Sequence, residues 1–223
     1  MKNIRISCAN LVKLSLDNKI ILLQNRSRSG KDKVYTPLGG AIQATNDGKE
    51  YLQSMGAQFN RQDLDLRFTM PVEKLSNFEK WFFRYNGREA MVEGAHREAI
   101  VEELGGEAGI SLEGVNADEM HWSFLYYAEE RKKTDRPDSL GQITQRFYEI
   151  LKLDLPKDVE ERIKEDLKKP ETCLFSISHE NLAKEVTEGG RIRDNCATLI
   201  IDPHSNKYRS FEVDGRLITL FAT

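Results

Sequence analysis

The sequence predicts an α+β fold, an α/β/α sandwich with a mixed sheet. Three observations carry that expectation: strand-like alternation opens the chain, one long acidic helical pattern occupies its middle, and strands and helices intermingle after it. With 223 residues the chain suits one domain, residues 1–223, that carries a substantial insertion.

The first strand pattern runs from Ile4 to Leu16, and Asp17-Asn18 supplies the turn into Ile20-Ile21-Leu22-Leu23-Gln24, so a hairpin is expected. A polar stretch, Ser27 to Lys33, leads to Val34-Tyr35-Thr36-Pro37-Leu38-Gly39-Gly40-Ala41-Ile42, which reads as a short strand closed by a tight glycine turn. Residues 44–87 form the insertion. Within it Asp65 to Met70 is strand-like, and Leu75, Phe78, Trp81 and Phe82 recur at helical spacing, so it buries an apolar face. From about Glu89 to Leu104 the pattern is helical and should stop at Gly105-Gly106. Gly94 lies inside that helix at a cost of about 1 kcal/mol relative to alanine.

Strands are next expected at His121 to Ala128 and Ile143 to Leu151, with Glu129 to Ser139 as a charged hairpin-like connection whose tip is Glu129-Glu130-Arg131-Lys132-Lys133. Asp158 to Lys168 and His179 to Glu185 read as helices, and Ala197 to Ile201 and Tyr208 to Val213 as strands.

No apolar run approaches the ~20 residues that cross a bilayer. The opening Met-Lys-Asn-Ile-Arg-Ile-Ser lacks the apolar core and cleavage site of a secretory signal, so a cytoplasmic location is expected. The net charge of −3 gives no general attraction to nucleic-acid backbones and argues against non-specific binding to them. Cys8, Cys173 and Cys196 are scattered without a C-x-x-C pair, which suggests packing rather than disulfides or zinc.

The acids of the central helix are not evenly spread. Glu98 and Glu102 stand four apart, on one helical face, with Glu103 at the edge of the same cluster. Like charges at that spacing repel unless a cation joins them, and hard carboxylate oxygens suit Mg²⁺ or Mn²⁺. A solvated glutamate face is the plain alternative for two such residues taken alone.

Read together with the glycine turn, the helix resembles the box of the Nudix hydrolase superfamily: Gly, five residues, Glu, seven residues, Arg-Glu, an aliphatic residue, any residue, Glu-Glu, any residue, Gly. Pro37-Leu38-Gly39-Gly40-Ala41 is similar to the strand and loop that open the box, and Glu89, seven residues and Arg97-Glu98 match its middle. Two departures stand out. About forty-three extra residues separate Gly40 from the Glu89 helix, and Glu102-Glu103 falls one position late, with Val101 where the first glutamate of the pair belongs. Pairing Glu98 with Glu102 keeps the i, i+4 relation of the family's principal ligands. Aligning Glu102-Glu103-Leu104-Gly105 with the end of the box instead puts Ala99 where a ligand belongs. The Phe175-Ser176-Ile177-Ser178 segment before a helix is similar to the family's Trp-x-Ser-x-Glu. The interrupted box, with Asp65-Leu66-Arg67-Phe68 and Phe78-Glu79-Lys80-Trp81-Phe82, resembles the branch associated with prokaryotic nucleotide-second-messenger defence operons.

The resemblance implies a metal-dependent hydrolase of a nucleoside diphosphate linked to another moiety, acting on a nucleotide-derived small molecule. Its metal, Mg²⁺ or Mn²⁺, would be held by Glu98, Glu102 and Glu103. Arg97 would orient a helix glutamate, Glu89 would be its outer partner, Glu103 a further ligand or water-positioning base, and Gly39 and Gly40 would let the backbone approach the phosphates. Homodimers are common in the family. The displaced pair and Val101 leave open a second reading, a Nudix-fold module that binds a nucleotide without turning it over, and an unrelated α+β protein with an acidic helix is a third. His96, Arg26 and Arg28 are further candidates for the site, against surface roles. Tyr35, Trp81 and Phe82 offer stacking rings, against simple core burial.

Overall fold

A computed structural model describes residues 2–26, 33–59, 62–134, 140–183, 191–201 and 208–222. Its eleven strands are β1 (Asn3–Leu16), β2 (Lys19–Gln24), β3 (Val34–Pro37), β4 (Gln58–Phe59), β5 (Arg67–Pro71), β6 (His121–Lys133), β7 (Ile143–Asp154), β8 (Leu174–Ser178), β9 (Arg191–Ile192), β10 (Tyr208–Val213) and β11 (Arg216–Ala222). The helices are α1 (Asn46–Ser54), α2 (Leu75–Phe83), α3 (Met91–Glu107), α4 (Lys157–Asp166) and α5 (His179–Ala183).

The sheet is mixed, as an α+β sandwich requires, in the order β10-β11-β6-β7-β1-β2-β3-β9, with β5 also on β1, β4 on β5 and β8 on β2. β1 runs parallel to β7 and antiparallel to β5, while β6 and β7 are antiparallel. The opening hairpin turns at Asp17 and Asn18, both at positive φ (48° and 61°), the geometry short-side-chain residues tolerate in a tight hairpin turn.

β1 sorts the molecule by alternation. On one face Ile4, Ile6 and Cys8 pack with Phe68, Phe78, Phe82 and Phe147, which seats the insertion, and further along Val12 and Leu14 pack with Ala95, Ala99, Ile100 and Leu104 of α3 and Val159 and Ile163 of α4. The other face presents Arg5, Ser7, Ala9 and Leu11 to a cavity. The insertion is therefore part of the body: β5 extends the main sheet beside β1, and α2 covers it with the apolar face that the Leu75, Phe78, Trp81 and Phe82 spacing predicts. Cys8, Cys173 and Cys196 are all buried and unbonded to one another.

Three expectations need correction, and one strand is added. Glu129 to Lys133 is no hairpin tip but the end of β6, because the Glu130 carboxylate turns inward to Arg146 and Lys132. Ala197 to Ile201 is not a strand: Asp194–Ile200 winds into a 3₁₀ helix that buries Cys196 and Leu199, three apart, and Tyr126 Oη donates to the carbonyl of Thr198 (2.6 Å). α3 passes through Gly105-Gly106 to Glu107, since its last turns bond five residues back. β11 pairs with both β10 and β6 and was not anticipated from the pattern.

A buried ion pair ties the insertion to the sheet behind α3. Arg88 Nη2 lies 2.6 Å from Glu149 Oε1, both side chains fully buried, and the guanidinium rests on the Phe82 and Tyr85 rings (4.2 and 4.0 Å). Tyr85 Oη donates to the same carboxylate at 2.9 Å. With the Asn10 amide oriented to satisfy its neighbours, its nitrogen donates to Glu149 Oε2 (2.8 Å) and its oxygen accepts from Ala95 N in α3 (3.2 Å).

Candidate active site

The site begins at the glycine turn. Gly39 has φ +107°, and a Cβ there would meet the Asn10 carbonyl oxygen at 2.2 Å, so only glycine serves. At Gly40 a Cβ would stand 1.8 Å from Glu98 Oε2. Gly40 is thus bare because the Glu98 carboxylate lies against its backbone. Gly94, the residue that costs helix propensity, is explained in the same way: a Cβ would meet the Asn10 side-chain amide at 2.5 Å and Glu89 Oε1 at 2.6 Å. Substituting Gly40→Ala should leave the fold intact and displace Glu98, so that any turnover depending on Glu98 would fall by about 10²-fold, the scale set by a misplacement of about 1 Å. Comparing melting temperature with turnover checks this, and equal losses in both would refute it.

From Met91 to Ala95 the helix is α, and from His96 to Glu107 it is a π-helix, with Ala108 N bonded to Glu103 O (2.8 Å). Each π turn takes in one more residue than an α turn. This accounts for the late Glu102-Glu103 pair: Val101 is the extra residue, and it points to solvent at 54% exposure. Glu103 then occupies the place, one turn on from Glu98, that an i+4 residue takes in an α-helix. Both Glu98 and Glu103 line a cavity of about 240 Å³ together with Gly39 and Gly40. Glu102 does not line it; its side chain is 55% exposed, against 15% for Glu98.

Arg97 joins the acids to one another. Its Nη1 donates to Glu98 Oε1 (2.7 Å) and Glu102 Oε1 (3.0 Å), its Nε to Glu89 Oε2 (3.2 Å), and its Nη2 to Glu89 Oε1 (2.9 Å) and the Ala41 carbonyl (2.8 Å). Glu89 Oε1 also accepts from Gln43 N at 2.7 Å, closing helix, glycine turn and insertion junction into one network. Gly39 N donates to Glu103 Oε2 at 2.6 Å.

Burial raises the Glu98 carboxyl above the ordinary carboxylate range despite the opposing Arg97 guanidinium, with Glu102 raising it further. Glu103 is pushed well above that range, again chiefly by burial, against the Gly39 N–H and with Glu98 adding repulsion. Two carboxylates that resist ionisation side by side are a place where a cation is stabilising. Among the described residues no cluster of three or more His, Cys, Asp or Glu side chains is gathered for a metal. The pair facing the cavity fits a hard ion such as Mg²⁺, which keeps waters and takes further ligands from phosphate.

The opposite part of the cavity is basic, which inspection of the helix alone overlooks. Arg5, Arg67, Lys132, Arg146 and Arg193 all line it, with Glu130 and Tyr148. A signal existed in the sequence: Arg5-Ile6-Ser7-Cys8-Ala9 puts a cation and two small residues on one strand face opposite large apolar ones. Arg26 borders an adjoining hollow of about 370 Å³ that shares Asn25, Thr36 and Glu103 with the first cavity. Arg28 lies outside the described residues. His96 is partly buried and borders neither space. Trp81 and Phe82 lie in the core of the insertion, and Tyr35 stacks on Phe175 at 4.5 Å.

A glycine turn laid against an acidic helix, under a mixed sheet, defines a protein of the Nudix superfamily. A family model described as the SMODS-associated NUDIX domain matches residues 3–207. The chain belongs to that family, the SMODS-associated defence branch, and so to a superfamily of hydrolases and nucleotide-binding modules. Among curated proteins none is a significant match. The chain is also similar to the solution structure of the E. coli ORF135 protein, at 13% identity and a TM-score of 0.34, over 88% of this chain and 86% of that one. Among the described residues no helix is long and apolar enough to cross a membrane.

Proposed function

We propose that the protein hydrolyses a nucleoside diphosphate linked to a second moiety, in a metal-dependent reaction at the Glu98 and Glu103 carboxylates. The observation that carries this reading is the convergence of those two half-buried acids on the glycine turn, across one cavity from a basic floor. Glu98 and Glu103 hold Mg²⁺ or Mn²⁺, with Glu102 available from the rim. The ion's chemistry is neutralisation of phosphate charge and acidification of water.

The residues do the rest. Water oxygen bonds to one phosphorus while the bond from that phosphorus to the bridging oxygen breaks, so the second moiety leaves as its own phosphate. Glu103, anchored by the Gly39 N–H, positions the water and takes its proton. Arg97 holds Glu98, Glu102 and Glu89 in one arrangement without lining the cavity itself. Gly39 and Gly40, lacking side chains, let the Glu103 and Glu98 carboxylates close on the turn beside the phosphates.

The test is incubation with Mg²⁺ or Mn²⁺ and a panel of nucleoside triphosphates, dinucleoside polyphosphates, nucleotide sugars, ADP-ribose, NAD and cyclic oligonucleotides, with products followed by mass spectrometry. Cleavage of a diphosphate linkage that Glu98→Gln loses is the expected result. A nucleotide retained without turnover would overturn hydrolysis in favour of a sensor.

A further inference from the structure

The basic floor is arranged in rows by strand register. Ser7 of β1 is paired with Arg67 of β5 on one side and Arg146 of β7 on the other, and Arg146 is paired in turn with Glu130 of β6. Neighbouring strands lie ~4.8 Å apart, so the two arginine backbones are separated by about 10 Å, with only a small side chain between them. Two guanidinium arms of that reach can close on a single tetrahedral anion above Ser7. The next row along the strands places Arg5 and Lys132 on either side of Thr144.

These cations are built into the fold. The Arg146 side chain is 11% exposed and paired with Glu130, and that of Arg67 is 26% exposed and paired with Asp65 at 3.0 Å. Each pair engages one guanidinium nitrogen, and an arginine has five N–H donors in a planar fork suited to phosphate. Desolvated cations are expensive unless something negative meets them. A cation at Glu98 and Glu103 would meet the acidic wall and draw the cleaved diphosphate to the glycine turn, while the cationic floor on β1, β5 and β7 can meet a further anionic group in the same cavity.

We propose that the Arg67–Ser7–Arg146 row binds an additional phosphate of the substrate, separate from the diphosphate that is cleaved. The substrate class is thus a nucleotide derivative phosphorylated at a further position, on its ribose or along its phosphate chain. As a statement about substrate this rests on the function proposed above; as a statement about the floor it does not need turnover.

Binding is therefore measured by calorimetry in EDTA at 150 mM salt, using AMP, adenosine 3′,5′-bisphosphate, ADP and ATP as probes. The expected result is that adenosine 3′,5′-bisphosphate binds at least about tenfold tighter than AMP, or ATP than ADP, and that Arg67→Gln reduces the advantage to within about twofold. Lys168→Gln, an equal charge change in the turn after α4 and outside the cavity, leaves it intact. Loss of the first advantage assigns the phosphate to the ribose, and loss of the second to the chain. Ser7→Asp, which sets a carboxylate between the two arginines while keeping their ion pairs, gives the same loss if Arg67→Gln fails to fold. No advantage in the wild type, or equal losses in Arg67→Gln and Lys168→Gln, overturns the proposal. A preserved advantage in a protein that hydrolyses nothing would overturn the hydrolase and leave the floor standing.

Discussion

If the protein hydrolyses a nucleotide as proposed, Glu98→Gln and Glu103→Gln should each lower kcat/KM by about 10²–10⁴-fold, the range expected when a metal ligand or positioned base is removed, while Glu102→Gln should lower it by less than tenfold, or about 1.4 kcal/mol. The order follows from the π turn. Residue spacing alone makes Glu102 the partner of Glu98, yet the extra residue per turn carries Glu102 outward to Arg97 and brings Glu103 round to Gly39. Turnover of whichever substrate the panel identifies gives the comparison, and the Mn²⁺-induced rise in melting temperature gives it independently of turnover. Equal losses for Glu102 and Glu103 would sink this account of the register. Deleting Val101 is the complementary experiment. It converts the segment to Arg97-Glu98-Ala99-Ile100 followed directly by Glu102-Glu103-Leu104-Gly105, the spacing of an uninterrupted box end, and removes only a solvent-facing side chain. The deletion variant should fold and bind Mn²⁺ as the parent does.

Arg88→Met should destabilise the protein by about 3–5 kcal/mol, the cost of leaving one member of a buried ion pair without the other. Glu149 would keep only Tyr85 Oη and the Asn10 amide as partners. Because Asn10 also accepts from Ala95 N, the loss should extend into the first turn of α3 and be visible as faster amide exchange there. Denaturant unfolding measures the first effect; a change below 1 kcal/mol would mean that the pair does not support the junction.

Much of the fold was legible in the residues. Asp17-Asn18 and its flanking apolar runs encode the hairpin, and the periodicity of Leu75, Phe78, Trp81 and Phe82 encodes α2, because burial alone decides both. Arg97 and Glu98 were legible as a pair. The side of the helix on which Glu103 would emerge was not, since it depends on hydrogen bonds to the fifth rather than the fourth residue, which no side chain advertises. The charged end of β6 reads as solvent because Glu130 and Lys132 look exposed until Arg146 is known to be the cross-strand neighbour of Glu130, to which Lys132 also pairs. The basic floor is a product of register: its members come from β1, β5, β6 and β7, far apart along the chain, and the row exists only when those strands are paired.

The insertion leaves the glycine turn and returns to α3 through adjoining backbone. Ala44 pairs with Arg88, Thr45 N bonds to Gly87 O (2.9 Å), and Glu89 N bonds to Gln43 O (3.0 Å). Its two ends are zipped together, so to the residues of the active site the polypeptide behaves as if it passed directly from Gln43 to Glu89. The detour is a graft: it can be inserted without altering the geometry at its base, yet it cannot be pruned, because Arg67 and the Phe68, Phe78 and Phe82 cluster lie within it and Arg88 stands at its stem. Kinship in such chains is better sought in which residues touch across the stem of a graft than in how many positions separate them.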